Sequence, residues 1–344
     1  MESSIGYKMK ITVAICCLNS EGVLPNTLAT LRENTPKDIS IIVVDDGSID
    51  NTAKIAAVHG ALVISHNENL GYAQARQSAL ENCDTEILAY IDDSCLIAQD
   101  WYSNLENLWE SAPATTKIIA GLMEIHEPQG FLQKFQARHN PFLPLPASFS
   151  RTNRFSAKLM AYLKGKRPIR AASIASFSNG NVSMRVTPIK EIGGYDLRYS
   201  IGAEDEDLAT RVIRQFGPTA IYFDQVILVR HVSDSSLKSF INRSYKYGRS
   251  SAFRFRLEGG LPTIMPVPVL VFILLAFALA LQNYLVAIPT LLSIPLFYAL
   301  RSRSFLYLIP DGYLLFISEI AHLSGFLRFL SKRTSLVRRE MSSI

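Results

Sequence analysis

The chain has 344 residues, 48% of them hydrophobic, and a formal net charge of +5. That length allows one large domain or two modest ones, and the positive mean hydropathy argues against a protein wholly exposed to water. The charge is unevenly placed, because residues 131–170 hold nine Lys or Arg and no Asp or Glu, a segment that attracts anions.

Lys8 and Lys10 precede an apolar run, Ile11 to Leu18, of eight residues. No small-residue cleavage site follows, so the run predicts a first core strand and not a signal peptide. Further β-branched strands are predicted at Ile39–Val44, Ala61–Ser65, Glu86–Ile91 and Lys117–Leu122. Between them lie helical stripes of Leu24, Leu28 and Leu31, of Ile55 with its alanines, of Ala75, Ala79 and Leu80, and of Trp101, Leu105, Leu108 and Trp109. This alternation predicts an α/β domain whose mostly parallel sheet is flanked by helices. Cys16, Cys17, Cys83 and Cys95 lack metal-ligand spacing and are expected to be buried thiols in a reducing compartment.

Open sheets of this kind bind ligands beyond the carboxyl ends of their strands. Val43-Val44 runs into Asp45-Asp46-Gly47-Ser48, and Tyr90-Ile91 runs into Asp92-Asp93-Ser94, so four carboxylates are predicted to share one crevice. Either cluster alone is equally well explained by capping and turn formation. Two at matched positions point to function. Crowded carboxylates repel unless a cation or a shared proton relieves them. A hard divalent cation, Mg²⁺ or Mn²⁺, suits the role because it takes oxygen ligands and leaves positions for a diphosphate. The lack of Cys/His ligand spacing argues against zinc.

Ile42-Val43-Val44-Asp45-Asp46-Gly47-Ser48, Asn69-Leu70-Gly71 with Ala75-Arg76, and Tyr90-Ile91-Asp92-Asp93 followed by Asp100-Trp101 closely resemble the family 2 inverting glycosyltransferases, in motif order and spacing, over roughly residues 9–250. The resemblance implies the GT-A nucleotide-diphospho-sugar transferase fold and a nucleotide diphosphate sugar as donor. It implies that Asp46 touches the nucleobase with Asn19 lining the same pocket, that Arg76 belongs to the donor site, and that Asp92 and Asp93 hold the ribose and the metal. Most relatives carry a third acidic residue where this chain has Ser94, which makes Asp93 the expected metal ligand.

Asn179-Gly180-Asn181 leads into a strand bearing Arg185, and Gly193-Gly194-Tyr195-Asp196 precedes Ala203-Glu204-Asp205-Glu206-Asp207-Leu208 and Arg211. Acidic residues at a helix start favour the macrodipole, and Asp207 pairs with Arg211 at i, i+4. By the resemblance this is the acceptor half. Asp205 becomes the general base that deprotonates the acceptor hydroxyl, with Glu204 and Asn181 beside it. A carboxyl crowded by others and partly desolvated has a raised pKa, suited to proton uptake near neutrality. His231 follows an apolar strand, Val226–Val229. A lone His is most often structural, but the resemblance makes this one a metal or diphosphate ligand. The Gln-x-x-Arg-Trp motif of processive polysaccharide synthases is absent, so one sugar per encounter is expected.

Ile264–Leu281 and Tyr284–Leu300 are 18 and 17 residues without a charge, each long enough to span a bilayer as half of a hairpin. Arg249, Arg254, Arg256, Arg301 and Arg303 flank it and place the catalytic domain on the cytoplasmic side. The next stretch, residues 305–330, is interrupted by Asp311, Glu319, His322 and Arg328 and followed by Lys332, Arg333, Arg338 and Arg339. It is expected to be interfacial or re-entrant. The chain thus divides into a GT-A-like domain, residues 1–255, and a membrane domain, residues 256–344. The basic, aromatic 131–170 insertion suits membrane lipids and a lipid-linked or glycolipid acceptor, and the apolar spans set aside nucleic acid as its partner. Two rivals stand beside this account. One is a catalytically silent membrane scaffold; the other is a nucleotidyltransferase, whose Gly-rich triphosphate loop is missing from Cys17-Leu18-Asn19-Ser20-Glu21-Gly22.

Overall fold

A computed structural model of the chain describes residues 9–144, 159, 162–163, 169–233, 236–259, 266–282, 284–302 and 308–331. Arg151, Arg154, Lys158, Lys164, Lys166 and Arg167 of the basic insertion, and the basic tail from Lys332, lie outside the described residues.

Strands and helices alternate through β1 (Ile11–Cys17), α1 (Leu24–Glu33), β2 (Ser40–Asp45), α2 (Thr52–Val58), β3 (Leu62–Ser65), α3 (Tyr72–Glu81), β4 (Ile87–Ile91), β5 (Cys95–Ile97), α4 (Trp101–Ser111) and β6 (Ile118–Ile125). After α5 (Phe131–Arg138) come β7 (Ala171–Ser173), β8 (Asn181–Arg185), α6 (Val186–Glu191), α7 (Glu204–Phe216), β9 (Ile221–His231) and α8 (Leu237–Glu258). The strands form one sheet in the order β3-β2-β1-β4-β8-β6-β9-β5, with β7 on β9. β3, β2, β1 and β4 are parallel neighbours, as are β6 and β9, while β8 runs antiparallel between β4 and β6. The mostly parallel α/β sheet predicted from the alternation is therefore present.

Period-two alternation decides which side each strand residue covers. Val13, Ile15 and Cys17 of β1 face a layer built from Leu24, Leu28 and Leu31 of α1 and Trp101, Leu105 and Trp109 of α4. Ala14 faces the opposite layer, where Ala73, Ala75 and Ala79 of α3 meet Leu208, Ala209 and Val212 of α7. With both faces covered, the central strands read as near-continuous apolar runs. Their parallel register brings the ends of β1, β2 and β4, and so Asn19, Asp46 and Asp92, to one edge.

The C-terminal region forms α9 (Pro266–Ala280), α10 (Tyr284–Ser302) and α11 (Leu308–Ser331). The boundary expected at residue 255 falls inside α8, and Phe253 and Phe255 pack with Phe326, Phe329 and Leu330 of α11 in the layer that α3 and α7 occupy. α11 is one continuous helix of 24 residues over the stretch expected to be interfacial or re-entrant. Its section Ile309–Ser331 is long and apolar enough to cross a membrane, whereas α9 and α10 contain shorter apolar helices. Two of the residues that interrupt it in sequence, Asp311 and Glu319, are paired in space. Arg138 grips Asp311 through Nε at 2.9 Å and Nη2 at 2.7 Å, and Glu319 meets Arg301, Tyr298 and Tyr162 at 2.7, 2.7 and 2.6 Å.

Candidate active site

The loops leaving β1 and β2 are stitched together by Asn19. Its backbone is left-handed at φ 54, its amide donates to Ser48 Oγ at 2.8 Å, and its Oδ1 accepts the Ile49 amide at 2.9 Å. Asp46 is 5% exposed and points inward. Its Oδ1 lies 2.6 Å from His66 Nδ1 and accepts the Leu70 amide at 2.9 Å, while Oδ2 accepts the Gly71 amide at 2.8 Å. In this geometry Asp46 fixes the loop before α3. Gly71 has φ 93, and a Cβ there would collide with the carbonyl of Ser200, whose oxygen accepts the Tyr72 amide at 3.1 Å. Only glycine meets both demands. The N-terminus of α3, which carries Arg76, is thereby clamped to the loop that leads into Asp205.

Asp92 and Asp93 follow β4. The Asp92 amide donates to the Gly180 carbonyl at 3.3 Å, and a Cβ on Gly180 would press on the Asp92 carboxylate. Burial raises the pKa of Asp92, with the Arg76 charge opposing. Asp93 accepts a bond from Ser20 Oγ. Burial also raises its pKa; the Ser20 bond pulls the other way and the Asp92 charge reinforces the rise. His231 reaches this site because β5 pairs with β9, setting Cys95 opposite His231. Its Nε2 lies 3.3 Å from Ser94 Oγ and its ring packs on Phe142 at 5.1 Å. Among the described residues no group of three or more His, Cys, Asp or Glu forms a metal cluster. Asp93 and His231 still fit a hard divalent ion of the kind that takes one or two carboxylates and completes its shell with substrate phosphates and water. A cation there would also relieve the Asp92–Asp93 crowding.

Across the cleft, Arg76 Nη1 donates to Glu204 Oε1 at 2.7 Å, and its Nη2 lies 4.0 Å from Asp92 Oδ1. Glu204 Oε1 also accepts Asn179 Nδ2 at 3.1 Å, and Asn179 Oδ1 in turn accepts the Tyr195 hydroxyl at 2.8 Å. Ala203, left-handed at φ 71, turns the chain so that α7 begins on Glu204. Asp205 accepts the amide of Glu206 at 2.8 Å. Burial, reinforced by repulsion from Glu204 and Glu206 and opposed by Arg76, pushes its carboxyl up to about 8.

Asn181, expected beside the acceptor, lies behind the cleft. Its Oδ1 accepts Trp101 Nε1 at 3.0 Å, and its Nδ2 donates to the Leu122 and Ile227 carbonyls at 2.9 and 3.0 Å. It plugs the register break between β6 and β9 at Gly121, where a Cβ would collide with it. A buried amide satisfied in this way is a structural peg. Ser20, His66, Asn179 and Tyr195 received no role from the sequence, because each meets its partner through tertiary packing and no spacing announces it.

Residues 12–179 match the family model described as glycosyl transferase family 2. The pre-mycofactocin glycosyltransferase of Mycobacterium tuberculosis is 25% identical over 247 residues, covering 70% of this chain and 47% of that protein. An uncharacterized glycosyltransferase of Mycobacterium bovis is 35% identical over 116 residues, 33% of this chain and 51% of that protein. The chain thus spans about half the length of these curated relatives. Among solved structures, mannosyltransferase PcManGT from Pyrobaculum calidifontis in complex with GDP-Man and Mn²⁺ aligns with TM-score 0.57 at 17% identity, over 95% of this chain and 88% of that one. GalNAc-T7 with UDP, GalNAc and Mn²⁺ aligns with TM-score 0.50 at 17% identity, over 76% and 53%. Residues 12–179, which carry Asp46, Asp92 and Asp93 but not Asp205 or His231, therefore match glycosyl transferase family 2, and the chain has the mixed α/β fold of its GT-A neighbours.

Proposed function

We propose that the chain is an inverting, non-processive glycosyltransferase that moves a sugar from a nucleotide diphosphate sugar to a hydroxyl of a lipid-linked or glycolipid acceptor at a membrane. The observation that supports this is one cluster in which Arg76 joins Glu204 to Asp92, with Asp93 next to Asp92 and Asp205, its carboxyl pushed up to about 8, next to Glu204. The loops fixed by Asn19 and Asp46 receive the nucleoside, and Arg76, shared by Glu204 and Asp92, orients Asp92 toward the ribose. A divalent cation held by Asp93 and His231 would supply Lewis-acid stabilisation of the departing diphosphate. The Mn²⁺ complexes of the two structural neighbours support such an ion. Asp205 takes the proton of the acceptor hydroxyl while that oxygen bonds to the anomeric carbon, opposite the breaking bond to the diphosphate.

The membrane part of the proposal rests on α9 and α10. No charged residue occurs from Pro266 to Leu300, and Leu270, Phe272, Ile273, Phe277, Leu285 and Leu292 are exposed, a face suited to lipid. α11 is assigned to the catalytic body and not to the bilayer. It packs along α8, whose exposed Asn242 and Lys246 hydrocarbon would exclude. The catalytic domain then sits on the cytoplasmic face with the basic flanks.

The test is reconstitution into lipid vesicles with Mn²⁺ and a screen of uridine, guanosine and thymidine diphosphate sugars for release of the free nucleotide diphosphate. We expect release from at least one donor, lost with EDTA and restored by Mn²⁺, in the fraction that floats with the vesicles. Floating protein that releases nothing from any donor would leave the scaffold in its place, and protein that does not float would remove the membrane assignment.

A further inference from the structure

α8 is bolted to the segment that carries Asp205. Ser250 Oγ donates to the Ile201 carbonyl at 2.7 Å, the Tyr199 hydroxyl donates to Glu258 at 2.5 Å, and Arg254 pairs with Glu206. Behind α8, Gly248 and Gly325 let its backbone touch that of α11, so the helix has little freedom to shift. One turn before Gly248 to Ser250, this rigid helix presents Arg243 and Tyr247 at i, i+4 spacing, on one face. Tyr247 is 48% exposed, and its phenol lies within electrostatic reach of Arg243, Asp92, Asp205 and Tyr72. Tyr247 therefore lies on the side of α8 near Asp205, with Arg243 one turn away on the same helix and bonded to Gln136.

Arg243 differs from the other arginines around the cleft. Arg76, Arg211 and Arg254 each face a carboxylate within 3 Å. Arg243 donates to the neutral Oε1 of Gln136 at 3.1 Å and has no ion pair among the described residues. Gln136 is 3% exposed and also accepts Ser233 Oγ at 2.8 Å, so α5 holds the guanidinium in place without neutralising it. A half-buried cation fixed by a neutral amide at the rim of an otherwise acidic cleft is prepared for an anion from outside. At neutral pH the Tyr247 phenol is an uncharged donor that adds a second directed bond.

Resting on the transferase assignment above, we infer that Arg243 and Tyr247 form a phosphate subsite on the acceptor side of the cleft, which holds the phosphate of a hydroxyl-bearing acceptor so that its hydroxyl reaches Asp205. A phosphate suits the pair because a planar fork and a phenol one turn apart approach from different directions, and a tetrahedral oxyanion offers acceptor atoms to both. The phosphate has two possible sources, a lipid headgroup or a soluble phosphate ester.

The experiment titrates the full-length protein, its donor site first saturated with nucleotide diphosphate and Mn²⁺, with sn-glycerol 3-phosphate and, separately, with phosphatidylglycerol vesicles against phosphatidylcholine vesicles. Arg243→Gln is expected to weaken binding of the phosphate probe roughly tenfold or more, Arg243→Lys less, and Tyr247→Phe about threefold. Loss with both probes assigns the site to phosphate as such; loss with vesicles alone assigns it to a lipid headgroup. Phosphate binding that is unchanged in Arg243→Gln overturns the inference. So does an equal loss of nucleotide affinity in that variant, which would put Arg243 on the donor diphosphate. If the wild-type protein binds no nucleotide at all, the transferase assignment fails instead, and the phosphate titration still reports on the subsite.

Discussion

Glu204 and Asp205 are adjacent in sequence and opposite in circumstance. Arg76 and Asn179 both bond the Glu204 carboxylate, whereas Asp205 has one backbone amide and two acidic neighbours. Burial, reinforced by the charges of Glu204 and Glu206, raises the Asp205 carboxyl and makes its charge costly. The cost is absent below the ordinary value of 3.8, where folded and unfolded chains are both protonated. It grows as pH rises and is complete above about 8. Asp205→Asn should therefore slow transfer by roughly a hundredfold or more yet melt about 2–4 °C higher than wild type near pH 9, with the gap closing near pH 4. Thermal melts at the two pH values check the second part, and a variant that is less stable than wild type at high pH would contradict it. Asp92, Asp93, Arg76 and Asp205, which the fold gathers at one edge of the sheet, stood out in the sequence because their motifs are local. The inward turn of Asp46 did not, since His66 and the Gly71 amide reach it only once α3 is docked.

At the scale of elements, contacts between backbones set the geometry. Gly248 faces the His322 carbonyl and Gly325 faces the Tyr245 carbonyl, which lets α8 and α11 lie in direct contact. A side chain at Gly248 has nowhere to go, because what it meets is backbone. We expect Gly248→Leu to cost about 1–3 kcal/mol, read as a lowered melting temperature, while Gly22→Ala, where nothing lies within 4 Å, changes it little. Strand and helix order through β6 was readable because alternation and apolar stripes repeat over many residues. β5 and β7 are three residues each and carry no period. The continuity of α11 was hidden for a related reason. Asp311 and Glu319 look like interruptions until their partners are known, and Arg138 is 173 residues from Asp311. The break expected at residue 255 was placed by a change in composition, but packing runs through it.

For the molecule as a whole, parallel pairing of β1, β2 and β4 and the return of β9 beside β6 collect side chains from residues 19 to 231 at one edge. Arg76 offsets part of the repulsion among them, and a bound cation would offset more. In the proposed reaction Asp93 serves donor and cation, and Asp205 serves the proton. Calorimetric titration of nucleotide diphosphate with Mn²⁺ into wild type, Asp93→Asn and Asp205→Asn separates them directly. The account predicts equal affinity for wild type and Asp205→Asn and a loss of at least tenfold in Asp93→Asn, one charge-assisted ligand. Asp93→Asn binding as tightly as wild type, or Asp205→Asn losing affinity to the same degree, would contradict it.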